Sequence, residues 1–250
     1  MTPERLTQLV GFLDSLGLDA GAPGGPGLAA GSMAPIEEAL SHSSLGEQLN
    51  HERLEFLGDA VLRLAATEFL RRHYPDLSVG EQSSLRSHLV SDRWLTALGD
   101  ACQLAQVVRL GPMASGDKAG QATVLAESTE ALIGAIYLAW GGLAPVISWL
   151  TPHWHHTSST VLADPHRQNW KSSLQEWSQS QGLGLPSYLC REESLAHGDP
   201  KRFYCQVHIE SANRLFQWNE NPGGWGRSRR EAQQSAARQA LEWLQNLEES

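Results

Sequence analysis

Basic residues are in deficit in this 250-residue chain, which has 19 Lys and Arg against 28 Asp and Glu. The formal net charge of -9 argues against a general polyanion binder, since such proteins usually carry a basic excess. Residues 1 to 164 contain 9 basic and 18 acidic residues, so the whole deficit (9 - 18 = -9) lies there, whereas residues 165 to 250 contain 10 of each. This distribution fits a metal-dependent enzyme joined to a separate docking module.

Cysteine is scarce, and the three present, Cys102, Cys190 and Cys205, form no C-x-x-C pair. An odd number cannot all be paired within one chain, so we expect reduced thiols in a cytosolic protein. The start of the chain also has no basic segment followed by an apolar run, which is the pattern of a signal peptide. We therefore expect a cytoplasmic protein.

One nearly uncharged stretch, residues 131 to 150, is long enough to resemble a membrane span. Gly141, Gly142 and Pro145 interrupt it, and two acids stand one turn before it. We therefore predict two buried helices in this stretch and no membrane partner.

Three acidic residues, Glu52, Glu55 and Asp59, stand at helical spacing in an otherwise apolar segment. Their positions i, i+3 and i+7 share one side of a helix. Apolar residues fill most neighbouring positions from 54 to 64, which places the acids in or beside a packed core. Like charges held together out of water take up protons or bind a cation.

A second acidic pair, Glu127 and Glu130, repeats the i, i+3 spacing before another apolar run. Two such stripes facing each other would form an oxygen-lined cage suited to Mg²⁺. The alternative is ordinary salt bridging on a helix surface. Few basic residues stand at helical spacing from these acids. Arg63, four residues after Asp59, can neutralise only one of them. The pattern therefore favours a metal site.

Helical periodicity dominates the first part of the chain, and strand-like alternation is nearly absent there. We predict an all-α domain over residues 1–156, with a Gly/Pro-rich loop at 20–32 and a Ser/Thr-rich linker at 157–168. The pattern then changes, and residues 169–248 read as a small α+β domain of order α-β-β-β-α. Its predicted elements are a helix at 170–181, strands at 188–193, 202–210 and 214–219, a Gly-rich turn, and a helix at 228–247.

Residues 50–62, Asn-His-Glu-Arg-Leu-Glu-Phe-Leu-Gly-Asp-Ala-Val-Leu, closely resemble the motif of ribonuclease III, the double-stranded RNA endonuclease. One further block before it, 38–44, and two after it, 75–86 and 124–135, stand in the order of that family. A chance match to four ordered blocks is not credible. The chain is therefore identified as a member of the ribonuclease III family, with an all-α endonuclease domain.

The resemblance implies Mg²⁺-dependent cleavage of double-stranded RNA to 5'-phosphate and 3'-hydroxyl ends, with Mn²⁺ as a substitute ion. The implied role is the processing of ribosomal RNA precursors, messenger RNAs or regulatory RNA duplexes. It implies a homodimer with Phe56 at the interface, although core packing is an alternative role for this side chain. No small-molecule cofactor is expected. The implied metal ligands are Glu55, Asp59, Glu127 and Glu130, with Glu52 as an outer or second-metal participant and with Asp59 and Glu130 as the catalytic pair.

Residues 226–237, which contain Gly-Arg-Ser-Arg-Arg-Glu-Ala, closely resemble the double-stranded RNA-binding domain. A Ser N-cap with arginines around a helix N-terminus suits phosphate binding, because exposed backbone amides already favour anions there. By position, the resemblance implies RNA contacts from Gln175, Glu176, His197, Lys201, Arg227, Ser228, Arg229 and Arg230.

Two departures from the family pattern stand out. The family normally has Asp where this chain has Glu127, and bacterial members commonly carry an acid where this chain has Val79. A rival hypothesis is therefore a catalytically silent double-stranded RNA-binding or ribosome-associated structural protein on the same fold. Retention of four clustered carboxylates favours the enzyme, since like charges cost stability when no cation is bound.

Overall fold

The computed structural model describes residues 1–115, 120–164, 169–196, 198–209 and 222–248. The chain forms two compact units, Met1–Thr160 and Val161–Ser250. The first contains helices and short 3-10 turns, and the second combines helices with an antiparallel sheet. The predicted fold class, an all-α domain followed by a small α+β domain, is confirmed.

Eight helices are described from the start of the chain to residue 163, and the short helix Pro112–Ser115 among them was not predicted. Their bounds are α1 Pro3–Ser15, α2 Ala34–Ala39, α3 Glu52–His73, α4 Val79–Leu89, α5 Asp92–Ala101, α6 Pro112–Ser115, α7 Gln121–Ala139 and α8 Ala144–Ala163. Ser78 caps α4 in a capping box with Glu81, and Ser91 caps α5 through its hydroxyl. These caps fix where the two helices begin.

Two glycines set the close approach of α3 and α7, the central pair of the helical unit. A Cβ atom at Gly58 would overlap the Glu130 carbonyl, and one at Gly134 would overlap the Leu54 carbonyl. The two backbones therefore touch where the acidic stripes begin. The absence of side chains at these two positions brings the acids of one helix to those of the other.

The predicted loop at 20–32 contains no regular helix, and both Gly24 and Gly27 have left-handed backbone with φ of 87° and 85°. The loop is nevertheless anchored, because its first residue, Ala20, and the residue after it, Met33, are both buried. Its ends belong to the core even though its tip follows the surface.

The stretch that resembled a membrane span is two helices, as predicted, because Gly141 (φ 69°) ends α7 and Pro145 lies in the first turn of α8. Among the described helices, α7 is long and apolar enough to cross a membrane, but it is the central core helix, contacted by α2, α3 and α5. Its length and hydropathy thus reflect burial inside the unit.

The first seven residues of the predicted linker are helical instead, because α8 continues to Ala163. Thr157 accepts a 3.0 Å hydrogen bond from the Trp94 indole, and Ser158 is buried. Long-range packing therefore overrides the Ser/Thr-rich composition, which alone indicated a linker. Residues 165–168 of the predicted linker lie outside the described residues.

The second unit runs α9 Trp170–Ser180, β1 Ser187–Glu192, β2 Phe203–His208, β3 Gly223–Gly226 and α10 Arg229–Glu248. The described strands form an antiparallel sheet of order β1-β2-β3, with Tyr188 opposite Val207 and Tyr204 opposite Trp225. Leu174 of α9 and alanines of α10 pack on the buried face of β2.

Two details of this unit differ from expectation. The observed β3 occupies glycines predicted to form a turn, and the strand predicted at 214–219 lies outside the described residues. Glycine is needed here because a Cβ at Gly224 would overlap the backbone of Ala236 in α10, so the helix packs directly on the strand. A strand that serves such a contact reads as a turn in the sequence.

The prediction of reduced thiols is wrong for two cysteines. Cys190 and Cys205 lie directly opposite each other on β1 and β2, with Cα atoms 4.0 Å apart, and form a disulfide, whereas Cys102 is free. Their pairing depends on strand register, which the sequence alone did not provide.

Candidate functional site

A cleft of about 780 Å³ lies between the two acidic stripes of the helical unit. All five predicted acids line it: Glu52, Glu55 and Asp59 from α3, and Glu127 and Glu130 from α7. The carboxylates thus converge from the two central helices. They lie at the edge of the core, where they are partly exposed, and not within it.

Asp59 is paired with a guanidinium, as its spacing from Arg63 indicated. The Arg63 Nε donates to Asp59 Oδ1 at 2.8 Å, and Arg63 Nη2 lies 2.7 Å from the same oxygen. Both side chains are about half exposed, so the pair contributes no more than about 1 kcal/mol to stability. A cation entering the cleft can therefore compete for this carboxylate at little cost.

Burial and like charge act together on Glu130. Desolvation first, and then the nearby Asp59 and Glu55 carboxylates, raise the pKa of Glu130 to about 7. Desolvation also raises the pKa of Glu55, followed by the negative charge of Glu127. In both cases repulsion from carboxylates of the facing helix adds to the effect of burial. A divalent cation would relieve that repulsion.

Two histidines border the cleft beside Glu127. His51 precedes α3 and has a side chain only 2% exposed, and its ring stacks on that of His42 with centroids 4.7 Å apart. The Nε2 atoms of His51 and His42 lie 3.5 and 3.7 Å from Glu127 Oε2. Desolvation, and then proximity to His42, lower the pKa of His51. One nitrogen from each ring and one Glu127 oxygen all lie within 4.8 Å of one another.

The segment that contains His42 is fixed by hydrogen bonds to Arg109 and Gly111. The His42 backbone N–H donates to the Arg109 carbonyl at 3.0 Å, and the Arg109 N–H donates to the Leu40 carbonyl at 2.7 Å. The Gly111 N–H donates to Ser44 Oγ at 2.9 Å. These bonds fix the turn at residues 42–45 against the cleft.

Sequence reasoning missed the two histidines as members of the site. His51 could have been found, since it lies four residues before Glu55 and its Nε2 is 3.5 Å from Glu55 Oε2. His42 could not, because only the fold brings the turn at residues 42–45 back to α3. Asp92 was also missed, although its charge contributes to the raised pKa of Glu130.

Phe56 lies at the mouth of the cleft with its side chain pointing outward. It is 85% exposed, which excludes the alternative of core packing within this chain. Ala60 and Leu64 follow at i+4 and i+8 and are also exposed. One side of α3 thus presents an apolar stripe beside its acidic one.

The predicted RNA contacts of the second unit lie at the surface wherever they are described. Ser228 caps α10, its Oγ accepting from the Glu231 N–H at 3.2 Å. The Arg227 N–H is bound by the Glu231 carboxylate at 3.0 Å. His197 lies outside the described residues. The exposed members of the predicted set are Gln175, Glu176, Lys201, Arg227, Ser228, Arg229 and Arg230.

Comparisons with known proteins match both units. Residues 35–146 match the family model described as Ribonuclease-III-like, and residues 170–244 match that of the double-stranded RNA binding motif. The chain is 50% identical over 212 residues to Ribonuclease 3 of Prochlorococcus marinus, covering 84% of this chain and 82% of the relative. It is 37% identical over 242 residues to Ribonuclease 3 2 of Synechocystis, covering 97% and 93% respectively. The solved nuclease domain of ribonuclease III from Campylobacter jejuni is 28% identical, with a TM-score of 0.46, and the match covers 55% of this chain and 90% of that chain.

Proposed function

The chain belongs to the ribonuclease III family and is an endoribonuclease of double-stranded RNA, and on that premise we propose that its cleft cuts duplex RNA with the help of divalent cations. The single observation that carries the proposal is the convergence of Glu55, Asp59, Glu127 and Glu130 from two helices on one cleft. We assign the nuclease to the helical unit, Met1–Thr160, and RNA binding to residues 169–248, in a protein of the cytoplasm.

The donor set in the cleft fits a hard divalent cation. Carboxylate oxygens are the ligands that Mg²⁺ and Mn²⁺ prefer, and the cleft is large enough to leave several ligand positions to water. Burial first, and neighbouring carboxylates second, raise the pKa values of Glu55 and Glu130, and a bound cation would favour the charged form of both. A bound divalent cation would supply charge relief on the scissile phosphate and a more acidic water nucleophile.

The protein's own residues would bind the cation and orient it toward the RNA. Glu55, Glu127 and Glu130 would hold the cation from within the cleft, where they are half-buried, and Asp59 would join them through the oxygen that Arg63 does not occupy. Glu52, exposed at the rim, would take an outer or second-ion position. Among these, Asp59 and Glu130 would lie against the reacting phosphate.

A cleavage assay tests the proposal directly. Long duplex RNA mixed with the protein should be shortened in Mg²⁺ or Mn²⁺ and should remain intact in EDTA. The reason is that carboxylates alone cannot relieve the negative charge on the phosphate or make a bound water more acidic. The products should carry 5'-phosphate and 3'-hydroxyl ends, read by end-specific labelling, and single-stranded RNA of the same sequence is the control. Duplex binding without metal-dependent shortening would instead support the rival, a catalytically silent binding protein.

We further propose a homodimer built on the exposed stripe of α3. A two-fold interface uses the same surface on both copies, and an exposed phenylalanine flanked by Ala60 and Leu64 suits such self-contact. Because Phe56 also lines the cleft, the interface would lie next to the site of cleavage.

Phe56→Asp should separate the dimer. A buried charge at the centre of an apolar interface should weaken association by about 100-fold or more. Sedimentation should then show a mass near 27.4 kDa for the variant and near twice that value for the parent. Leu28→Asp, a change at another exposed leucine in the loop at 20–32, is the control and should remain dimeric. A parent that sediments at the mass of one chain would contradict the proposal.

RNA contact in the second unit is proposed for the start of α10. Three exposed arginines surround a helix N-terminus whose free amides attract phosphate, so binding there should weaken as salt rises. Gln175 and Glu176 on α9 and Lys201 before β2 would contribute contacts to the groove. Such contacts read duplex shape and 2'-hydroxyls over about 16 base pairs, and not sequence.

A further inference from the structure

Glu127 lies beside two imidazole rings, whereas Glu55 lies beside the His51 ring only. Glu127 Oε2 lies near two imidazole nitrogens, at 3.5 Å from His51 and 3.7 Å from His42, and Glu127 has no arginine partner among the described residues. The two rings are stacked with an interplanar angle of 14°, so both nitrogens reach the same oxygen side by side. Whether these nitrogens can donate hydrogen bonds to Glu127 depends on which nitrogen of each ring carries the proton.

Backbone N–H groups donate to the Nδ1 atom of both rings. The Ser43 N–H donates to His51 Nδ1 at 3.2 Å, and the Ser44 N–H donates to His42 Nδ1 at 3.1 Å. The Ser44 hydroxyl lies 2.9 Å from the same His42 nitrogen and can donate to it as well. A ring nitrogen that accepts a hydrogen bond carries no proton, so each neutral imidazole must carry its proton on Nε2. Both Nε2–H groups are thus donors near Glu127 Oε2, and that of His51 is equally near Glu55 Oε2, at 3.5 Å.

The same assignment argues against direct coordination by the histidines. A histidine that binds a metal through Nε2 usually donates its Nδ1–H to a carboxylate or carbonyl. Here both Nδ1 atoms face backbone donors of one turn, at residues 43 and 44. Metal binding through Nε2 would require breaking both of these bonds.

We propose that His42 and His51 are positioning residues that hold Glu127 by one carboxylate oxygen and leave the other to the cation. The proposal rests on the proposed metal-dependent function of the cleft. The contacts of 3.5 and 3.7 Å are a few tenths of an ångström longer than formed hydrogen bonds, a gap that the Glu127 side-chain torsions can close. Hydrogen bonds of this kind to ligating carboxylates orient them toward a metal.

The contact between Glu127 and the two histidines also depends on the length of the Glu127 side chain. An aspartate at this position would withdraw the carboxylate by about 1.5 Å, one carbon–carbon bond, and lose the reach to both rings. The histidine pair and the longer acid therefore act as a unit.

Paired substitutions separate positioning from structure. His51→Asn and His42→Asn each keep an acceptor near the Nδ1 position for the backbone amide but remove the donor toward Glu127, whereas Gln places an amide N–H near the Nε2 position. The measurement is Mn²⁺ affinity of the full chain without RNA, by electron paramagnetic resonance. Thermal unfolding of each variant checks that the fold is kept.

The double Asn variant should bind Mn²⁺ about 10- to 100-fold more weakly than the parent, and the double Gln variant should recover most of that loss. In a Glu127→Asp background His42→Asn should cost less than about threefold, because its partner is out of reach, whereas His51→Asn still removes the donor near Glu55. Equal losses in both backgrounds would overturn the proposal, since the histidines would then act through the fold. Failure of Gln to rescue would also overturn it, because it would indicate histidine as a direct ligand.

The outcome is separable from that of the proposed function. If duplex RNA is cut with Mg²⁺ but the Mn²⁺ cycle shows no coupling between position 127 and the histidines, the positioning role alone fails. If coupling is present but no duplex is cut, the metal site stands and the nuclease proposal fails.

Discussion

Glu130→Gln should reduce the rate of duplex RNA cleavage by about a thousandfold at saturating Mg²⁺. The change keeps the size of the side chain and removes one negative charge from the cleft, so the protein loses a cation ligand worth several kcal/mol in the transition state. Duplex binding should persist, because the RNA contacts assigned to the second unit are untouched. The two readouts are single-turnover cleavage and a gel shift in EDTA.

The matched control is Glu68→Gln, the same substitution at an exposed position of α3 outside the cleft lining. It should cleave at the parental rate. If Glu130→Gln cut duplex RNA as fast as this control, the assignment of Glu130 to the site would be wrong.

The same substitution should change the pH dependence of stability in the metal-free chain. Glu130 has a folded pKa of about 7, above its ordinary value of 4.5, so the folded state binds the extra proton between these two pH values. Stability should therefore fall as pH rises from 4.5 to 7, and the Gln variant should lack this fall. Because the group is only half-buried, we expect about 1 to 2 kcal/mol.

Gly134→Ala should destabilise the helical unit by about 2 to 3 kcal/mol and lower its melting temperature by several degrees. The added Cβ would overlap the Leu54 carbonyl and press on the backbone of Gly58, neither of which can rotate away. Forcing α3 and α7 apart would also separate the two acidic stripes, so cleavage should fall with stability. Thermal unfolding followed by helical circular dichroism provides the measurement.

Gly80→Ala is the comparison for this change, since Gly80 also lies in a helix, α4, and a Cβ there meets no atom within 4 Å. It should be neutral or slightly stabilising, because alanine favours helix more than glycine does. Similar losses at both positions would mean that helix packing at Gly134 is not what the substitution disturbs.

Local signals explain why the helical elements and the acidic site could be predicted. The stripe of Glu52, Glu55 and Asp59 depends only on helix periodicity, which is fixed within a few residues of chain. Helix starts at α4 and α5 follow from their serine caps. The convergence of Glu127 and Glu130 on that stripe required one further assumption, that the two apolar helices pack together.

Features that depend on distant contacts were not visible in the sequence. Residues 157 and 158 looked like a linker because their composition is polar, yet Trp94 and the core hold them in a helix. The strand at Gly223–Gly226 looked like a turn because its glycines serve the packing of α10. His42 joins the site only because a strand-like contact with Arg109 fixes its turn.

The most direct measurement of the central claim is the position of Mn²⁺ in crystals of the full chain, located by anomalous diffraction. We expect a peak between α3 and α7 with carboxylate oxygens of Glu55, Asp59 and Glu130 at about 2.2 Å, and an oxygen of Glu127 in the same shell or one water beyond. A peak bonded to the imidazole nitrogens, or none in this cleft at millimolar Mn²⁺, would contradict it.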